Sequence, residues 1–120
     1  MVLGRFVQRG PDLADVQPAQ SDTGLAHNAL AMTLEAATKP GQAEAAYRRA
    51  IEILDSALGA NADDTLNVEA NLADLLATRD RRQEAEALYR HVLAGREATL
   101  GGEHPETGLA LSQLGGVLAD

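Results

Sequence analysis

The chain has 120 residues, no cysteine, and 10 Lys and Arg against 18 Asp and Glu, for a formal net charge of −8. That length supplies one core, and the missing thiols exclude disulfides, thiolate metal sites and a cysteine nucleophile. The acidic balance argues against nucleic acid, whose footprint is basic, and favours a neutral or basic protein partner. No apolar run reaches the roughly 18 residues that a membrane span needs. The opening residues also lack a signal-peptide core, so a cytoplasmic chain is expected.

The apolar residues are mostly alanine and leucine, and Phe6, Tyr47 and Tyr89 are the only aromatics. Such a composition forms helices and is too poor in β-branched and aromatic residues for a sheet. Residues 1–21 read as irregular, with Gly10-Pro11 as a breaker. Leu3, Phe6 and Val7 form an apolar stripe that either docks on the first helix or frays. Asp22 is the expected N-cap of a first helix ending near Thr38, with Leu25, Leu30 and Leu34 at helical spacing.

Lys39-Pro40-Gly41 is a turn signal, and a second helix is expected from Gln42 to Leu58. Its stripe is Ala43, Tyr47, Ala50, Leu54 and Leu58, and Gly59 closes it. A third helix is expected from about Asp64 to Thr78, capped by Asp63 or Asp64. The fourth runs from about Arg81 to Leu100 on Ala85, Leu88, Tyr89, Val92 and Leu93, weakened or bent by Gly95. Pro105 suits the first turn of a fifth, which reaches about Leu118.

A shift of 42 positions lays the chain on itself. Thr23, Thr65 and Thr107 align, as do Leu30, Leu72 and Leu114, and Leu34, Leu76 and Leu118. Tyr47 falls on Tyr89, and Leu58-Gly59 on Leu100-Gly101. A fixed period in this range marks stacked repeats, each too small to cover its own apolar stripe. The units are about 22–63, 64–105 and a half unit 106–120.

Leu30-Ala31 with Leu34, then Ala43, Tyr47 and Ala50, form one pattern, repeated by Leu72-Ala73 with Leu76, then Ala85, Tyr89 and Val92. Leu114-Gly115 with Leu118 begin it again. This pattern resembles the tetratricopeptide repeat. The long period, and Leu100-Gly101-Gly102-Glu103-His104-Pro105-Glu106-Thr107 as an L-G-x-x-H-P-x-T loop, are similar to its kinesin-light-chain-type form. The resemblance implies an all-α, right-handed stack of antiparallel helix pairs, an α-solenoid of about five helices. Alanine or glycine at 31, 73 and 115 would allow close approach within a pair. The family provides interaction surfaces and no chemistry of its own.

By that resemblance the first helices of successive pairs line a concave groove. Its candidate peptide contacts are Asn28, Met32, Glu35, Asn67, Asn71, Asp74 and Gln113. Asparagine disfavours helix interiors, so these amides either bond the backbone of an extended peptide or form a solvated face. The face shows no lysine or arginine, which argues against gripping a carboxylate tail. The last helix offers Leu109, Leu111, Leu114, Val117 and Leu118 for self-association as a dimer or oligomer, or for contact with further repeats. No serine, histidine and acid form a nucleophile–base pattern, and no cofactor or metal motif is present, so the expectation is a non-enzymatic interaction module.

Overall fold

The computed structural model describes residues 20–119, which contain five helices and no strand. Helix α1 covers 20–36, α2 Pro40–Leu58, α3 Asp63–Thr78, α4 Arg82–Leu100 and α5 Pro105–Ala119. The expected stripe of Leu3, Phe6 and Val7 lies outside the described residues. Each helix packs on the next in chain order. The core is built from alanine and leucine between the layers, with Tyr47 and Tyr89 as its large members.

Two caps and one helix start differ from expectation. Helix α1 is already formed at residue 20, so Asp22 lies inside it. Pro40 opens α2 instead of preceding it, because a missing N–H is harmless in the first turn. Ala62 is the N-cap residue of α3, and neither Asp63 nor Asp64 makes a capping bond. Both stand in the first turn, where their charge suits the helix N-terminus.

The loop motif has a physical basis repeated in both copies. Gly59 (φ 104, ψ 159) and Gly101 (φ 89, ψ 159) occupy a backbone region open essentially to glycine alone. Six residues on, the buried Thr65 hydroxyl donates to the Gly59 carbonyl at 2.9 Å, and Thr107 donates to Gly101 at 2.7 Å. The threonine thus satisfies a carbonyl freed at the end of one helix while standing in the first turn of the next. In the second loop the Glu106 N–H also donates to Nδ1 of His104 at 3.1 Å, so the ring shapes the entry to α5.

The turns within each pair repeat as well. Thr38 (φ 63) and Asp80 (φ 65) share one register and one left-handed conformation. The Lys39 N–H reaches the Leu34 carbonyl at 2.9 Å, and the Arg81 N–H reaches Leu76 at 3.0 Å, closing each helix in a Schellman arrangement. A β-branched residue is strained there. Thr38→Gly is therefore expected to stabilise the fold by about 1 kcal/mol, read as a higher melting temperature. A lower one would contradict the strain.

Glycines serve the packing in a way the repeat pattern alone does not reveal. A Cβ on Gly24 would stand 2.7 Å from Leu54 Cγ and 3.2 Å from Ile53 Cγ2, and a Cβ on Gly95 would stand 2.8 Å from both methyls of Leu66. Shifting by one period exchanges these partners: Gly24 aligns with Leu66, and Ile53 with Gly95. One pair thus sets a small residue on its first helix against a large one on its second, and the next pair reverses the sizes. Gly95 admits Leu66, and α4 continues through it to Leu100. Gly115, expected to ease close packing, has nothing within 4 Å of its would-be Cβ.

Candidate functional site

Among the five helices, α1, α3 and α5 hold the first-helix register, and the candidate groove residues lie along them. The structure ties several together across helices. Asn71 Nδ2 donates to Asn28 Oδ1 at 3.1 Å, linking α3 to α1. Asn28 in turn faces Met32 Sδ at 3.8 Å along α1. Asn67, Asn71 and Gln113 line one pocket of about 230 Å³, with Ala70, Leu109 and Ala110 of the same two helices. Met32 is 53% exposed, and Glu35, Asn67 and Asp74 are exposed too.

The two acids of this set are held by the two tyrosines. The Tyr47 hydroxyl donates to Glu35, and the Tyr89 hydroxyl to Asp74. The tyrosines share a register, but Glu35 and Asp74 do not, so the bond in the second pair lands one turn earlier on its first helix. Burial raises both phenols above their ordinary range, and the bonded carboxylates raise them further. The Asp74 carboxyl is also raised: burial is the largest cause, Glu35's charge adds to it, and the Tyr89 bond opposes it. Asp74 therefore senses the charge of Glu35, and the two acids form one acidic stretch of the face.

The pocket's floor comes from α4, which contributes Val92 and Arg96. Arg96 is 5% exposed, and its Nη1 donates to the carboxylate of Asp63. This corrects the expectation that the face lacks a cation: the arginine reaches it from the second helix of the pair. The signal was present as an arginine in the register of Leu54, a core position of the preceding repeat.

The apolar candidates on α5 divide. Leu114 (5%) and Val117 (8%) are buried in the core, so they are not available for self-association. They face inward because α5 packs on α4 with the stripe that their register partners Leu72 and Leu75 also bury. Leu109, Leu111 and Leu118 are 56%, 58% and 50% exposed. At the other end Leu25 and Leu30 are exposed at 40% and 50%, and Gly24 and Ala31 are buried in their place. Leu58 too is 44% exposed instead of buried in the α2 stripe.

The remaining polar clusters are engaged within the fold. Arg48, Arg79 and Arg81 all pair with Glu44, and Arg49 pairs with Glu52. Arg82 donates to the Val117 carbonyl at 3.3 Å, at the end of α5. His27 bonds the Thr23 carbonyl in its own helix. His91 meets Glu69 at 2.6 Å, joining α4 to α3. Burial raises the Glu69 carboxyl, and the His91 bond opposes that rise. This pair was not legible beforehand, since neither residue has a like partner in the register before it.

Among the described residues the helix-pair stack thus exposes one polar, one acidic and one apolar zone. The family profile of the tetratricopeptide repeat matches residues 22–98 and 64–120, and the chain belongs to that family. No curated protein matches it. Among solved structures, the crystal structure of BtubC (BKLC) from P. vanneervenii is similar at 18% identity with a TM-score of 0.74. The match covers 80% of this chain and 38% of that one, so the chain spans well under half of that protein's length. The likeness establishes the fold. Tetratricopeptide repeats generally mediate contacts between proteins, and the family is one of scaffolds and interaction modules.

Proposed function

We propose that this chain binds an extended peptide, or an extended segment of a larger protein, across the face formed by α1, α3 and α5. The observation that carries this reading is the alignment of amides along that face: Asn28 bonded to Asn71, and Asn67, Asn71 and Gln113 gathered in one pocket. Amides hold a donor and an acceptor each, the complement of a peptide backbone. Helix-interior asparagine carries a propensity penalty, which binding would offset. Glu35, Asp74 and the net charge of −8 favour a segment that is neutral or basic where it passes them.

A pull-down with the intact chain identifies the partner. The Asn71→Ala/Asp74→Ala double variant is expected to lose at least about tenfold in affinity. Affinity equal to wild type would remove the groove.

A second reading is favoured by one specific comparison. Leu118 is 50% exposed, whereas Leu76 in the same register is fully buried beneath α4. A second copy laid against Leu111 and Leu118 would restore that burial through a twofold contact. Light scattering at high concentration would then report a dimer that Leu118→Glu dissociates. A strict monomer would end this reading.

A further inference from the structure

We infer that the pocket between α3 and α5 is a receptor for one side-chain carboxamide, a glutamine or asparagine of the bound segment. This rests on the groove reading above and names what that site selects. The argument begins with a cost. Arg96 stands in the register of Leu54, a position buried in the preceding repeat, and its side chain is only 6% exposed. Burying a guanidinium is unfavourable unless its donors and charge are met. What meets it is Asp63, 79% exposed and so screened by water, which takes Nη1. Among the described residues no buried side-chain nitrogen lacks a partner. Any donor that Arg96 does not spend on Asp63 is therefore not sealed from solvent, and Arg96 lines this pocket.

The rest of the lining decides the guest. The polar walls are Asn67, Asn71, Gln113 and the exposed Glu106. Asn71 and Gln113 stand in the same register, one period apart. With Arg96 positive and Asp63 and Glu106 negative, the local charge is already one unit acidic. A carboxylate guest would add repulsion, and a cationic guest would be driven toward a buried cation. A carboxamide is neutral and presents both signs of partial charge. Its carbonyl oxygen accepts from Arg96, and its NH2 donates to Glu106 or to the oxygen of a host amide. The volume of about 230 Å³ suits a single side chain.

The test pans a phage library of random 12-residue peptides against the immobilised intact chain, then measures selected peptides by calorimetry. The expected peptides carry glutamine or asparagine at one fixed position. Exchanging that residue for glutamate or leucine weakens binding at least about tenfold on wild type. On the Asn67→Ala/Gln113→Ala variant, whose two side chains are not buried, the discrimination falls to about twofold or less. Unchanged thermal melting checks that this variant is folded. Peptides that lose affinity with Asn71→Ala/Asp74→Ala yet accept glutamate equally would overturn the carboxamide receptor and leave the groove standing. A selection without binders, or with binders indifferent to both double variants, would overturn the groove and the receptor together.

Discussion

Tyr89→Ala is expected to destabilise the fold by about 3–5 kcal/mol, among the largest effects of any single change. Tyr89 is 5% exposed and packs where α3, α4 and α5 meet in the main core. Truncation leaves a cavity that fixed helices on both sides cannot close, and cavity volume adds to the lost transfer energy. It also strips Asp74 of its donor, in a carboxyl that burial already disfavours in its charged form. Tyr89→Phe separates the two contributions. It keeps the ring and removes the hydroxyl, so its cost is expected to be about 0.5–1.5 kcal/mol, the net worth of one hydrogen bond. Urea denaturation of both variants reads the difference, and an alanine variant within about 1 kcal/mol of wild type would contradict the packing described.

Leu66 and Gly95 are expected to behave as one unit. Leu66→Ala alone should cost about 2–5 kcal/mol, because its side chain is fully buried. Gly95→Ala alone should cost about 1–3 kcal/mol by overpacking, since the new Cβ would stand 2.8 Å from both Leu66 methyls. The gain in helix propensity, about 1 kcal/mol, offsets part of that. Together the two changes relieve each other: the smaller residue at 66 makes room for the larger one at 95. The double variant should therefore lose at least about 1 kcal/mol less than the sum of the singles. Strict additivity would mean that the size exchange with Gly24 and Ile53 has no energetic content.

These cases mark how far the chain can be read from its residues. The 42-residue register gave Tyr47 and Tyr89 as core residues, and both are buried. The Leu-Gly turn and its threonine were visible as a motif, and the backbone angles of Gly59 and Gly101 explain it. Gly95 was legible only as a weak point, because helix propensity is a local quantity and the contact with Leu66 comes from another helix. Leu114 and Val117 are buried where the pattern leaves them open, because a stripe on the last helix does not reveal which side meets α4. Arg96 is hidden for the opposite reason: the register puts the face on first helices, and this side chain reaches it from a second helix. The candidate groove amides were readable as a set, since Asn71 and Gln113 share a register. Their bonding was not, because Asn28 meets Asn71 across registers.

The central claim is that the α1, α3 and α5 face receives the partner. Its most direct test is nuclear magnetic resonance of the isotopically labelled chain with the selected peptide. The expected result is a shift of the side-chain amides of Asn28, Asn67, Asn71 and Gln113, with those of Gln42 and Gln83 unchanged. Shifts confined to α2 and α4, with the four groove amides unmoved, would contradict it.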